Sequence, residues 1–153
     1  MTNRTLQKKL FQTSTILIGL SVMLGALGAH LLKNFLTPAE LATFNTALQY
    51  QFIHAIALLI LSIGLRRVRE KIAQTSARFF GVGMVVFCGS LYILSIKNSL
   101  GLNDSIKWIG ALTPIGGLCF IAGWFYLAYN GYKPYEGSQN DNSKPTKSKQ
   151  TVV

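Results

Sequence analysis

Few side chains in this sequence could do chemistry, and three of them stand together at the start of one apolar segment. Tyr50, Gln51 and His54 open the stretch YQFIHAIALLILSIGL. Intervals of four and three residues place Tyr50 and Gln51 on the same helix face as His54. An imidazole beside a phenol and an amide can titrate, bind a metal or make hydrogen bonds. The segments that carry these residues decide which of these chemistries is available.

The apolar composition predicts a membrane protein. Half of the 153 residues are hydrophobic and 13% are charged, whereas soluble domains carry about 25% charged residues. Four segments lack Lys, Arg, Asp and Glu, namely residues 10–29, 41–65, 79–96 and 108–132, and each is near or above the length of about 18 residues that crosses a bilayer.

The predicted fold class is an all-α integral membrane protein, an antiparallel bundle of four transmembrane helices. The predicted spans lie at about residues 13–32, 46–65, 79–96 and 108–129. Together they make a membrane domain over residues 1–132, and the polar stretch 133–153 is predicted to be a disordered basic cytoplasmic tail. The motif LTPAEL predicts that the second helix begins near Pro38, with Thr37 as its cap and Glu40 completing a capping box.

The basic residues predict orientation. The formal net charge is +10, but a nucleic-acid partner is not expected because the basic residues fall between spans and not on one folded face. Twelve of the fifteen Lys and Arg lie before the first span, between the second and third spans, or in the tail. The positive-inside bias therefore predicts that both termini are cytoplasmic. Anionic lipid headgroups at that face are the predicted partners.

Small residues inside the spans predict close helix packing. Ser21, Gly25 and Ala29 recur every fourth residue in the first span, and Gly28 lies beside them. Such residues let neighbouring helix backbones approach each other in lipid. The full predicted packing set is Ser21, Gly25, Gly28, Ala29, Gly89, Gly116 and Gly117.

The polar residues of the spans gather at one depth. Because successive spans alternate in direction, most polar side chains fall in the outer half of the membrane. We predict a functional polar cluster around His54 in this half, and its members are His30, Tyr50, Gln51, His54, Tyr92, Ser95 and Thr113.

The favoured interpretation of His54 is structural. An imidazole that faced hydrocarbon would lose its hydrogen bonds at a cost of several kcal/mol or so. His54 should therefore point inward, stay neutral and bond a hydroxyl or carbonyl of a neighbouring helix. This predicts a small structural or accessory membrane protein that forms a homo-oligomer or binds a partner membrane protein.

Three chemical alternatives remain weaker. A transporter or proton channel could use His54 and His30, but no span carries Asp or Glu to continue the path. Haem or metal binding by the same pair is disfavoured, because His54 lies about 16 Å from the inner end of the second span whereas His30 lies about 25 Å from the inner end of the first. Hydrolysis lacks a GxSxG motif and an orienting carboxylate. We therefore predict no enzyme activity, no cofactor and no metal.

Four segments carry a resemblance to a known family. They are GALGAH at 25–30, YQFIHAIALL at 50–59, GSLYILS at 89–95 and TPIGGLCFIAGW at 113–124. With these motifs the chain resembles the YgdD-like family of small inner-membrane proteins, a family of unknown function with transmembrane relatives in eukaryotes. The resemblance covers roughly residues 17–127 and departs from the family pattern at Leu27, commonly an aromatic, and Cys88, often Ser. It implies a four-helix membrane protein that keeps His30 and His54, and it implies no substrate, cofactor or catalytic residue.

Overall fold

The computed structural model describes residues 3–65, 67–99, 101 and 104–131. Arg66 and the predicted tail at 133–153 lie outside the described residues. Within them the chain is helical and contains no β-strand. The α-helices are α1 (Asn3–His30), α2 (Pro38–Gly64), α3 (Glu70–Gly83), α4 (Gly89–Ile96) and α5 (Leu112–Asn130). A π-helical segment, Met84–Cys88, joins α3 to α4, and 3-10 helices occupy Leu32–Asn34 and Asp104–Ala111.

Four helical stretches are long and apolar enough to cross a membrane, which confirms the predicted all-α membrane class. They are Arg4–Asn34, Pro38–Gly64, Glu70–Ile96 and Trp108–Asn130. The third stretch combines α3, the π-helical segment and α4. The first three helices begin at residues 3, 38 and 70, earlier than the predicted spans, because an apolar run marks the hydrocarbon-facing part of a helix and not its capped end.

The start of α2 has the predicted cap. The backbone N–H of Glu40 donates to Thr37 Oγ1 at 3.3 Å, and the backbone N–H of Thr37 donates to Glu40 Oε2 at 2.8 Å. Pro38 takes the first helical position, where a missing N–H costs nothing. Asn98 Nδ2 donates to Glu40 Oε1 at 2.7 Å. This bond ties the end of the third span to the beginning of the second.

The α1–α2 contact uses small residues of α1. A Cβ on Gly25 would lie 3.4 Å from Leu48 Cδ2, and one on Gly28 would lie 3.1 Å from Phe44 Cε1. Ala29, in contrast, is exposed. The contacting residues 21, 25 and 28 follow the helical repeat of 3.6 residues, whereas a strict spacing of four rotates Ala29 away from α2.

Helix α5 approaches the third span most closely at three glycines. A Cβ on Gly116 would overlap the backbone of Phe87, and one on Gly123 would lie 2.8 Å from the Phe80 ring. A Cβ on Gly83 would lie 2.5 Å from the Phe120 ring. Each of these positions therefore requires glycine if the helices are to keep this separation.

The other two predicted glycines of this region are less restricted. A Cβ on Gly117 would lie 3.7 Å from Phe87 Cδ2, an ordinary contact, and one on Gly89 would meet no atom within 4 Å. Close approach of the helices does not require glycine at either position.

Helix α2 lies at the centre of the packed helices. It contacts α1, α3, the π-helical segment and α4, and Ala47, Ala55, Leu58 and Leu61 are almost completely buried. Large apolar side chains face outward elsewhere, and they include Ile16, Val22, Ile60, Ile63 and Val85. An apolar exterior of this extent is unusual for a soluble monomer and is expected of a surface in contact with lipid.

Candidate functional site

Gln51 connects three helices through its side-chain amide. Its Nε2 donates to Ser21 Oγ on α1 at 3.0 Å, and the hydroxyl of Tyr92 on α4 donates to its Oε1 at 3.1 Å. Ser21 Oγ in turn donates to the carbonyl of Leu17 at 2.8 Å. Gln51 is only 8% exposed, so the amide is paired at both ends away from lipid.

His54 has a partner at each ring nitrogen. Nδ1 lies 2.8 Å from the backbone oxygen of Tyr50, and the indole N–H of Trp124 on α5 points at Nε2 across 3.2 Å. A carbonyl oxygen can only accept and an indole N–H can only donate. The ring is therefore a neutral imidazole that carries its proton on Nδ1.

Aromatic rings surround the imidazole. The ring of Phe120 stacks on His54 with centroids 3.6 Å apart and planes inclined by 14°, and Phe80 lies at 5.3 Å. Tyr50 contacts Phe87 at 4.7 Å. With 3% of its surface exposed, His54 is held in place by rings from α3 and α5.

Two other predicted residues make bonds of their own. Thr113 Oγ1 lies 2.7 Å from Ser90 Oγ and so links α5 to α4. Ser95 Oγ donates to the carbonyl of Tyr92 at 2.8 Å, within α4. Within the part of the chain that the structure describes, no hydrogen bond joins either residue to His54, so the predicted polar cluster divides into separate hydrogen-bonded groups.

His30 stands apart from the rest. It is the last residue of α1 and is exposed, and its carbonyl accepts a hydrogen bond from Asn34 Nδ2 at 3.3 Å. Among the described residues, no hydrogen bond or ring contact joins it to His54, and no group of three or more His, Cys, Asp and Glu side chains could hold a metal ion. The structure therefore does not bring the two histidines together.

Sequence reasoning missed two partners of the predicted cluster. Ser21 was expected only to pack helices but accepts the hydrogen bond of Gln51. Trp124 was not assigned a role. A tryptophan well inside an apolar span needs a hydrogen-bond partner for its indole N–H, and this need could have indicated that Trp124 pairs with a polar side chain. The ring of Phe120 carries no such signal because any apolar residue could occupy its position.

A cavity lies between α2 and α5. Its volume is about 380 Å³, and its lining residues are Gln49, Tyr50, Ile53, His54, Phe87, Gly117, Phe120, Ile121 and Trp124. No Cα atoms of α2 and α5 approach within 8 Å, so large side chains alone bridge these helices. The remaining space forms the cavity.

Four membrane-capable helices joined by hydrogen bonds between their polar side chains define a multi-pass integral membrane protein. Residues 24–117 match the family described as "Protein of unknown function (DUF423)". The chain belongs to this family.

Curated relatives support this assignment. The chain is 40% identical over 113 residues to the "UPF0382 membrane protein" of Haemophilus influenzae, covering 73% of this chain and 84% of that protein. It is 35% identical over 103 residues to the "UPF0382 inner membrane protein YgdD" of Escherichia coli K12, covering 67% and 73%. It is 34% identical over 115 residues to the "UPF0382 membrane protein YwdK" of Bacillus subtilis, covering 74% of this chain and 88% of that protein.

These matches confirm two predictions. The resemblance to the YgdD-like family is confirmed, and the protein is an integral protein of the bacterial inner membrane. No solved structure matches the chain. The relatives' names describe uncharacterised membrane proteins and name no enzyme.

Proposed function

We propose that the protein is a structural or accessory component of the inner membrane, without enzyme activity. Its polar side chains would hold four transmembrane helices together and would not move a solute across the membrane. The observation that carries this proposal is the hydrogen-bonded path from Ser21 through Gln51 to Tyr92, which joins α1, α2 and α4. Such bonds contribute about 0.6 kcal/mol each on average in membranes, so they specify which helices pair more than they add stability.

The proposal includes an antiparallel four-helix bundle with both termini in the cytoplasm. Contacts between helices support the antiparallel order, because residues late in one helix pair with residues early in the next. Gly28 meets Phe44 and Ser21 meets Gln51, while Phe87 meets Gly116. The basic residues in the first turns of α1, and from the α2–α3 connection into α3, support the orientation through the positive-inside bias.

The same contacts argue against a proton path. His54 has both nitrogens engaged, and in the proposed orientation the inner half offers mainly hydroxyls that bond their own helix. Ser14 Oγ donates to Phe11 O at 2.9 Å and Ser62 Oγ donates to Leu59 O at 2.7 Å. A relay needs groups that pass a proton from one helix to another, and these hydroxyls point back to the backbone.

Liposomes containing the purified protein and an enclosed pH-sensitive dye test this. Under an imposed pH gradient and potential, we expect the dye response to equal that of empty liposomes, with an added protonophore as the positive control. Proton flux in the wild type that His54→Ala abolishes would overturn the structural proposal and favour the transporter or channel.

The proposed partners are lipids with anionic headgroups at the cytoplasmic face and either a second copy or another membrane protein. Amine-reactive crosslinking in native membranes should give a product larger than the monomer, which mass spectrometry then identifies. Recovery of monomer alone, while a known oligomer in the same membranes crosslinks, would contradict the protein-partner part of the proposal.

A further inference from the structure

We propose that the cavity between α2 and α5 binds a planar, carbonyl-bearing ring lipid of the isoprenoid-quinone class, which enters from the bilayer. This inference goes beyond the proposed structural role, since a helix scaffold needs no ligand. It depends on the walls of the cavity, its free hydrogen-bond donors and its access from lipid.

The walls suit a flat ring. Tyr50 lies 4.7 Å from Phe87 and 6.0 Å from Phe120, centroid to centroid, and His54 stacks on the latter ring. Aromatic faces of this kind bind a planar ligand by offset stacking or edge contact. The volume of about 380 Å³ falls at the lower end of the range of about 300–1,000 Å³ that is usual for small-molecule sites.

The walls are also fixed before any ligand arrives. Trp124 is held by its hydrogen bond to His54 Nε2, and His54 is held by Tyr50 O and by the stacked Phe120 ring. Side chains that are already ordered lose little conformational entropy when a ligand binds. The bond between His54 and Trp124 therefore positions two walls of the site.

Two lining side chains carry donors with no partner. Over the residues that the structure describes, neither the Tyr50 hydroxyl nor the Gln49 amide makes a hydrogen bond, although both residues line the cavity. An unpaired donor at membrane depth costs free energy because lipid tails accept no hydrogen bond. The carbonyl oxygens of a quinone would accept from both groups, whereas an acyl chain would accept from neither.

The cavity is reached from the lipid-facing side. Ile53 and Trp124 are each 44% exposed and Ile121 is 52% exposed, so the rim borders the bilayer. Gly117 also lines the cavity, and the absence of a side chain there leaves space between α5 and the Phe87 ring. A lipophilic ligand can therefore enter sideways from the membrane.

Tryptophan fluorescence tests the proposal, because the chain has two tryptophans and only Trp124 lines this cavity. The full chain with Trp108→Phe is placed in phosphatidylcholine nanodiscs and titrated with decylubiquinone. We expect quenching of Trp124 that saturates at low quinone content. The matched Trp124→Phe chain reports Trp108, which should show only the non-saturating quenching expected of random collisions in the bilayer.

Variants of the lining residues distinguish specific binding in the cavity from simple partition of the quinone into lipid. In the Trp108→Phe background, Tyr50→Phe and Gln49→Leu should each weaken apparent quinone affinity about threefold to tenfold, the loss expected for one hydrogen bond. Asn45→Leu, an amide on α2 that does not line the cavity, is the control and should change nothing. Gly117→Leu should abolish saturation by filling the space.

Three outcomes would overturn the proposal. They are equal, non-saturating quenching of both tryptophans, unchanged affinity in Tyr50→Phe and Gln49→Leu, and reversal of the saturable quenching by tetradecane at a content equal to that of the quinone. The last result would identify an acyl-chain groove. Should Gly117→Leu fail to fold by circular dichroism, the two donor variants still decide. Proton flux does not enter these measurements, so failure here leaves the structural proposal untouched.

Discussion

His54 gains its position in the membrane from two directional bonds and a stacked ring. The Tyr50 carbonyl accepts from Nδ1, and the Trp124 indole donates to Nε2. Protonation would place a second N–H against the indole N–H, so this arrangement favours the neutral ring. At the scale of the residue, the imidazole therefore acts as a connector between α2 and α5.

A double-mutant cycle measures that connection. Trp124→Phe keeps an aromatic ring but removes the N–H, and His54→Phe removes the acceptor. We expect a coupling free energy of about 0.6 kcal/mol, the average for such bonds in membranes, from unfolding in mixed micelles with increasing dodecyl sulfate. Additive losses, with no coupling, would show that the hydrogen bond contributes nothing measurable.

Ser76 gives a second prediction, because its buried hydroxyl makes no hydrogen bond among the described residues. Ser76→Ala removes an unsatisfied group, so the free energy of unfolding should stay unchanged or rise by up to about 1 kcal/mol. Ser21→Ala is the matched control. It leaves the Gln51 amide without its acceptor and should lower the same quantity by about 1 kcal/mol. Equal losses in the two variants would contradict this.

At the scale of elements, the π-helical segment shapes the contact between the third span and α5. A π-turn inserts an extra residue and so changes the direction in which the following side chains point. In this segment the backbone of Phe87 packs against Gly116, and its ring contacts Tyr50. This π-helical turn therefore contributes both to the packing of α5 and to a wall of the cavity.

The glycines of these elements should respond differently to substitution. Gly116→Ala would force α5 away from Phe87, so we expect the free energy of unfolding to fall by about 1–3 kcal/mol, or no folded protein, as for overpacked cores. Gly89→Ala meets open space inside a helix and should be neutral or stabilising by about 0.5–1 kcal/mol. Unfolding in mixed micelles and elution in detergent compare the two. Equal tolerance would contradict the close approach at Gly116.

These elements also show how far the sequence could be interpreted. The apolar runs and the Thr37–Glu40 capping box are local patterns, and the sequence predicted both. Gly116 and Gly89 look alike in sequence, since each is a small residue in an apolar run, and only the neighbouring helix makes one of them essential. The pairing of His54 with Trp124 depends on how α2 and α5 meet, and no local spacing encodes it.

At the scale of the whole molecule, many large apolar side chains face outward, while the interior holds small residues, paired polar side chains and buried apolar side chains such as Phe80 and Leu58. Within a bilayer this distribution lets every helix face lipid while hydrogen bonds select its neighbours. Most basic residues lie at alternate ends of the spans, in the first turns of α1 and from the α2–α3 connection into α3. Packing does not dictate which end faces the cytoplasm, so orientation depends on charge.

Topology is therefore the prediction that belongs to this scale. With Cys88 and Cys119 replaced by Ala, we introduce Ser99→Cys and Arg69→Cys separately, at the two ends of the third span. Since twelve of the fifteen basic residues should stay inside, a membrane-impermeant maleimide should label intact cells at position 99 only. Position 69 should react only after permeabilisation, and a fluorescent protein fused after Val153 should fluoresce because it folds in the cytoplasm.

The charge mechanism itself can be tested by moving charge. Replacing Arg67, Arg69 and Lys71 with Gln, together with three Lys added next to Ser99, should convert part of the population to the reverse orientation, because the bias depends on Lys and Arg in short connections. The same three Lys added to the wild-type chain should have a smaller effect, which controls for the insertion. Unchanged labelling of Ser99→Cys in the first variant would show that something other than basic residues orients the protein. Labelling of Arg69→Cys in intact cells, with the other basic residues in place, would reverse the proposed topology.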